Sequence, residues 1–275
     1  MTPAAARPTA RTVAIGGLGT IGLTVARWLD HADGFDLTAV AASSEASAAA
    51  KIGVLDTAPA IVSAPDLADH ADIVIECAPA AHFAAIAEPA IEAGRTLVTL
   101  SVGALLSRPD LVEAAELSGA QIIAPTGALI GLDAVRAMAQ GQIDSVKLVT
   151  RKPPKGLIGA PYLEAQGIDL SDLSEPLCVF TGDARNAAKA FPANINVGAA
   201  LALAGAGPER TMIEIWADPT IERNRHRVEI TSDSAIASME IEGMPSADNP
   251  RTSASVANSV IAALRRMGDP LVVGT

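Results

Sequence analysis

Apolar positions follow two rhythms along this chain. From Thr12 to Ile15 a short β-prone run breaks into Gly16-Gly17-Leu18-Gly19-Thr20-Ile21-Gly22, after which Ile21, Val25 and Leu29 recur at helical spacing, predicting strand, glycine turn and helix. Strands follow at Leu37–Ala42, Ile73–Cys77, Thr96–Ser101 and Gln121–Ala124, with a helix from about His82 to Ala93. Alternating β and α units call for a parallel sheet covered on both faces. After Pro125 the rhythm changes. A helix at Leu132–Gln140 leads to a strand at Ser145–Arg151, and later strands at Thr211–Ala217, His226–Thr231 and Ala237–Glu242 alternate residue by residue. In the stretch 224–230, Asn224, His226, Val228 and Ile230 share one face while Arg225, Arg227 and Glu229 share the other. One covered and one wet face predict a largely antiparallel sheet. A final helical pattern over Ser253–Met267 places Val256, Val260, Ile261 and Leu264 on one side.

The fold class expected is therefore α/β: a Rossmann dinucleotide-binding domain over residues 1–127, a second α/β domain over 128–247 built on a largely antiparallel sheet, and a C-terminal helix within 248–275 that returns to the first domain. The 275-residue length suits two such domains. Hydrophobic residues make up 49% and charged residues 19%, which excludes wholesale disorder. Twenty Lys and Arg against thirty-one Asp and Glu give a net charge of −11, so nucleic acid and anionic membrane surfaces are not expected partners. The N-terminal MTPAAARPTART lacks the apolar segment of a secretory signal, and the longest uncharged stretch, Ala190–Pro208, is interrupted by Pro192, Asn194 and Asn196, so it reads as a buried helix and its lead-in. Two distant cysteines, Cys77 and Cys178, indicate neither a disulfide framework nor a zinc site, and a cytoplasmic location is expected, with no metal.

The glycine loop carries the first chemistry. Gly17, Gly19 and Gly22 form G-x-G-x-x-G between a strand and a helix. The first allows the tight turn, the second allows close approach of a pyrophosphate, and the third allows the helix to pack on the strand. With Thr20 and Ile21 they are candidate cofactor residues, phosphate being met by the free N–H groups of the helix start. The carboxylate that would hold an NAD ribose is missing at the end of the second strand, which runs into Ser43-Ser44, and no arginine stands beside them to hold a 2′-phosphate. Ser43 is therefore a candidate ribose contact and dual use of NAD and NADP is expected.

Beyond that loop, the segments Glu76-Cys77-Ala78-Pro79, Ser101-Val102-Gly103-Ala104, Pro125-Thr126-Gly127-Ala128, Arg151-Lys152-Pro153-Pro154, Phe191-Pro192-Ala193-Asn194-Ile195-Asn196-Val197, Asp218-Pro219, Asn224-Arg225-His226 and Asn249-Pro250-Arg251-Thr252-Ser253 occur in this order. In these the chain resembles the L-aspartate dehydrogenase family, including its iminosuccinate reductases, over nearly its whole length. The resemblance implies NAD(P)-linked interconversion of L-aspartate with iminosuccinate, which hydrolyses to oxaloacetate and ammonia, and a homodimer. It implies that His226 of the N-x-H motif is catalytic and that Ala128 and Asn194 contact the cofactor, with Ala78 and Pro79 near it. Thr126 stands where relatives commonly have serine.

Weighed from chemistry alone, oxidising an amine requires a base that works near neutral pH, for which imidazole is the obvious candidate. His31 and His70 sit beside Asp30 and Asp69 in solvated contexts and His82 begins a helix, whereas His226 shares a face with Val228 and Ile230, a pattern for which a satisfied core histidine is the usual explanation and which only the N-x-H motif turns toward catalysis. A dicarboxylate substrate needs fixed cations, and Arg151-Lys152-Pro153-Pro154-Lys155 supplies three at a strand end. Lys152 is the preferred carboxylate ligand, although spacing alone does not separate it from its two neighbours. Asn194, Thr252 and Ser253 are further candidate substrate contacts, the last two serving equally well as a helix cap. Cys77 reads as packing. Met212, Glu214 and Trp216 share a strand face that is either a subunit interface or core. Two other readings keep the fold: an oxidoreductase for another small substrate, commonly with a lysine base, and a cofactor-binding regulator without turnover.

Overall fold

The computed structural model describes residues 10–246 and 253–274. In chain order the elements are β1 (Arg11–Gly16), α1 (Thr20–Leu29), β2 (Phe35–Ala41), α2 (Glu45–Ile52), β3 (Ala60–Ile61), β4 (Ile73–Glu76), α3 (Phe83–Glu92), β5 (Thr96–Thr99), α4 (Val102–Leu106), α5 (Asp110–Ser118), β6 (Gln121–Ile123), α6 (Leu132–Met138), β7 (Ile143–Lys152), α7 (Pro161–Gln166), β8 (Leu177–Asp183), α8 (Ala184–Ala190), α9 (Asn196–Ala204), β9 (Thr211–Ala217), β10 (Arg225–Ser232), β11 (Ile236–Glu242) and α10 (Ser255–Gly268). Two compact units result. The first takes the chain up to Thr99, Asp110–Ile123 and Val260–Pro270; the second takes Leu100–Pro109, Ala124–Ser259 and Leu271–Thr275. The chain crosses between units more often than single boundaries at 127 and 247 provide for, and α10 gives its first turn to one unit and the rest to the other.

The first unit is built on a six-stranded sheet in the order β3-β2-β1-β4-β5-β6, every pair parallel. Val13, Ala14 and Ile15 of β1 and Ile73, Val74 and Ile75 of β4 are fully or almost fully buried, as central strands covered on both faces require. The order turns back between β1 and β4, the switch point beyond whose strand ends doubly wound sheets bind ligands. The alanine-rich stretch becomes α2, started by Ser44, whose hydroxyl accepts the Ser47 N–H at 3.2 Å. In α10, Val260 and Leu264 are buried, and the Arg265 guanidinium lies 5.6 Å from the centre of the Trp28 ring.

The second unit carries a five-stranded sheet in the order β11-β10-β7-β9-β8. Three of its pairs are antiparallel, but β7 and β9 run parallel, so the sheet is mixed. The intervening chain supplies the crossover such a pair needs, including α9, whose Ala199, Leu201 and Ala202 are fully buried. Inward residues Val146 and Leu148 of β7, Ile213 and Ile215 of β9, and Val228 and Ile230 of β10 pack against α6, α8 and α9 in one core with Phe180 and Phe191, whose rings meet edge to face at 5.8 Å. The strand β8 escapes the sequence pattern because its alternation slips between Cys178 and Phe180, where the ladder to β9 shifts register.

Candidate functional site

In the first unit, each glycine of the loop has a separate physical reason. Gly17 adopts φ of +101°, and a Cβ there would lie 2.7 Å from the Ala78 nitrogen and the Cys77 carbonyl. A Cβ on Gly22 would run into the Gly17 carbonyl oxygen, so the helix packs on the turn only through glycine. Gly19 differs. A Cβ there would meet nothing within 4 Å, and the residue is exposed at the start of α1, whose N-terminus has neither a side-chain cap nor an acidic residue in its first turn. Thr20 and Ile21 form the first turn of α1, half-buried. An open space over an uncapped helix start fits a pyrophosphate, which would occupy the room that Gly19 leaves and accept from the N–H groups of α1. NAD(P), when bound, takes hydride from a substrate carbon or returns it.

Ala78 and Pro79 follow β4, and their backbone is fixed by Glu76, which the sequence offers only as the first residue of a motif. Glu76 is fully buried; its carboxylate accepts the Ala78 N–H at 3.1 Å and the Thr99 hydroxyl at 2.7 Å, holding the turn against which Gly17 fits. The only signal was a charged residue ending the apolar run Ile73-Val74-Ile75. Burial, and after it the Glu76 charge, push the Cys77 thiol well up, so it stays protonated and packs near Gly22. Ser43 is exposed beyond β2, and Glu45 joins Ala42, Ser44, Ile61 and Ser63 around a shallow depression there. A carboxylate is thus present close to the expected ribose position, two residues beyond the place where the pattern sought it.

In the second unit, β7 and β10 bring three polar side chains, Thr150, Lys152 and His226, to the inward face of the sheet. Thr150 pairs with His226 in the ladder, and the hydroxyl lies 3.2 Å from Nδ1 of the imidazole. Two residues along β7 and on the same face, Lys152 donates from Nζ to Oδ1 of Asn194 at 2.6 Å. Asn194 sits in the turn between α8 and α9, held by its own N–H to the Phe191 carbonyl at 2.9 Å. His226 is 4% exposed, and burial together with the nearby Lys152 charge pushes its pKa down to about 3. Burial likewise pushes Lys152 down to about 8. An imidazole so shifted stays neutral near neutral pH, and Lys152 is the member of the cluster that changes charge closest to it.

The three cations of the Arg151–Lys155 segment separate. Lys152 points inward, Lys155 is exposed, and Arg151 turns to the other face of the sheet, where it pairs with Asp218 at 3.2 Å and lies 4.6 Å from the centre of the Trp216 ring. Ala128 lies in the turn after β6, which Gly127 forms at φ of +63° and which α10 holds through the Ser259 hydroxyl, 3.0 Å from the Gly127 N–H. Ser253 stands before α10, and its hydroxyl lies 2.9 Å from that of Ser255, in the helix-starting position. Thr252 lies outside the described residues. His31, His70 and His82 are all exposed. Thr150, which lies against the imidazole, carries no signal of its own in the sequence.

A doubly wound sheet, a glycine cradle and a buried histidine–lysine–amide cluster define the class of nicotinamide-dinucleotide oxidoreductases with a Rossmann domain. Residues 17–125 match the family described as homoserine dehydrogenase, NAD binding domain, and residues 133–267 match that described as aspartate dehydrogenase, C-terminal. The chain is 52% identical to an L-aspartate dehydrogenase of Bradyrhizobium diazoefficiens, over 96% of this chain and 94% of that one. It is 49% identical to L-aspartate dehydrogenase 3 of Bordetella bronchiseptica, over 96% and 97%. The crystal structure of aspartate dehydrogenase from Thermotoga maritima has the same fold at 24% identity, with a TM-score of 0.70 over 96% of this chain and 99% of that one. The chain belongs to the L-aspartate dehydrogenase family.

Proposed function

We propose that this protein oxidises L-aspartate to iminosuccinate with NAD or NADP, the imine hydrolysing to oxaloacetate and ammonia, and that it runs the reaction in reverse as an iminosuccinate reductase when ammonia and the oxo acid are supplied. The observation that carries the reading is the cluster of Thr150, Lys152, Asn194 and His226, which gathers a half-buried cation and amide and a buried imidazole at one inward sheet face. A small dicarboxylate carrying an amine needs such a set: a cation and N–H donors for its carboxylates, and a hydrogen-bond acceptor for its nitrogen. In this reading His226 is the catalytic imidazole that touches the substrate, and Asn194 contacts substrate and cofactor, as do Ala128, Ala78 and Pro79 on the cofactor side. Thr252 and Ser253 remain proposed substrate contacts, Ser253 with its hydroxyl already engaged at the start of α10.

The reading includes a homodimer formed through the outward face of the second sheet and a cytoplasmic location. Two free cysteines accord with a reducing compartment, and no helix among the described residues is long and apolar enough to cross a membrane. The test is to follow NADH and NADPH oxidation with oxaloacetate plus ammonium, and their formation with L-aspartate. Turnover in both directions, absent with L-malate or L-homoserine, supports the reading. Absence of turnover with aspartate and with oxaloacetate plus ammonium overturns it.

A further inference from the structure

We propose that Lys152 is itself the acid–base group of this reaction, its Nζ taking the proton from the α-ammonium of L-aspartate and returning it in the reductive direction. The inference rests on the aspartate reading above and adds to it a role that carboxylate binding alone does not require.

The amine is placed for this by the fold. It ends β7 on the inward face, one step along the strand from Thr150, whose ladder partner is His226. Its hydrogen-bond partner is the oxygen of a neutral amide, Asn194, and no carboxylate among the described residues pairs with it. The groups that could supply countercharge from the adjoining elements are committed elsewhere. Asp218, beyond β9, accepts from Arg151 and from the N–H and hydroxyl of Thr220 at 3.0 and 2.6 Å, while Glu214 on β9 pairs with Lys147 at 2.7 Å and accepts from Trp216. His226, facing from β10, is neutral. A half-buried ammonium whose partner is a neutral amide gives up its proton more readily than a paired one, and a pKa of about 8 accords with that setting.

The chemistry then balances. L-Aspartate arrives as an ammonium, and the N–H bond breaks with its electron pair staying on nitrogen while the proton goes to neutral Lys152. The Cα–H pair leaves as hydride to the oxidised nicotinamide, which is reduced, and the nitrogen pair forms C=N, so the substrate is oxidised by two electrons. Water adds to the resulting iminium, ammonium departs, and the lysine ammonium gives its proton to solvent. His226 hydrogen-bonds the substrate throughout as neutral imidazole, with Thr150 fixing its ring.

The experiment compares the parent enzyme with Lys152→Met, Lys152→Arg and Lys152→Ala. Three readouts are taken: the pH profile of aspartate oxidation, the affinity of the cofactor complex for succinate, and the titration of ¹³C-labelled lysines by NMR, with Lys152→Met assigning the resonance. Expected are a lysine signal and a rate limb that both titrate near pH 8 in the parent, and a loss of turnover of about 10²–10⁴-fold in both Lys152→Met and Lys152→Arg. The limb vanishes with the turnover, succinate affinity falls by a much smaller factor, and added ethylamine restores rate to Lys152→Ala. Because arginine keeps the charge without titrating, Lys152→Arg decides the matter if the methionine variant does not fold. A limb that persists in the variants, or a loss confined to KM and matched by the loss of succinate affinity, overturns the role and leaves the aspartate reading standing. A parent enzyme inert toward aspartate while its lysine still titrates near 8 overturns the reading, and the role with it.

Discussion

At the residue scale, burial decides which groups carry protons. His226 has a pKa of about 3 in the folded protein against an ordinary 6.5, so between these values the unfolded chain binds a proton that the native state refuses. Stability must then fall as pH drops from 6.5 toward 3, with the loss from this one group approaching about 5 kcal/mol at about 1.4 kcal/mol per pH unit. We expect His226→Asn to flatten this acid limb in melting curves taken across pH, and a limb unchanged by the substitution would place its origin elsewhere. Lys152 shifts in the same sense, since its charged form is disfavoured by burial, so its contribution rises with pH between about 8 and 10.5. Gly19 gives a second residue-scale test. Its extended backbone and the empty space around it should let Gly19→Val fold with a melting temperature near that of the parent, yet the branched side chain would fill the phosphate cradle. Cofactor affinity measured by fluorescence titration should fall at least about tenfold, roughly 1.4 kcal/mol. Undiminished affinity would refute the cradle. The sequence motif already gave Gly19 and Gly22 different tasks, and the space around each Cβ position differs accordingly.

At the scale of elements, what could be read from sequence was periodic and local. The strand of His226 and its alternating faces were legible because Val228 and Ile230 contrast with Arg225 and Arg227, and the ladder to β7 realises that contrast. The partner that orients the imidazole was not legible, because pairing of Thr150 with His226 joins positions 76 residues apart. Nor could the direction of β7 relative to β9 be read, since alternation is the same in parallel and antiparallel neighbours. The segment between β2 and α2 shows the limit of motif logic in a further way. The search for a ribose carboxylate ends at Ser43, while Glu45, the first residue of α2, lines a depression beside Ser44. We predict that Ser43→Asp shifts the NADH to NADPH ratio of kcat/KM toward NADH, because a second carboxylate there accepts the ribose hydroxyls and repels a 2′-phosphate. An unchanged ratio would show that residue 43 does not face the ribose.

At the scale of the whole molecule, the unsettled expectation concerns the face of the second sheet that turns away from its core. Along β9, Met212 is 42% exposed; Glu214 and Trp216 follow on the same side, and β7 and β10 add Lys147, Val149, Arg151, Arg225, Arg227 and Glu229 around a shallow, charged concavity. Most of these charges have a partner within the face: Lys147 with Glu214 at 2.7 Å, Arg227 with Glu229 at 2.9 Å, and Arg225 with Glu242 at 2.8 Å. A surface whose charges are mutually neutralised, with an indole and a methionine among them, loses little by covering itself with a second copy, since few charges would be desolvated without a partner. We therefore expect light scattering to give the mass of two chains. Met212→Glu combined with Val149→Glu should shift it toward one, because two unpaired carboxylates would be buried on each side of a self-complementary contact. Cofactor affinity should survive, the glycine cradle belonging to the other unit. A parent protein already of one chain's mass, or a double variant that remains dimeric, would remove this face from the assembly.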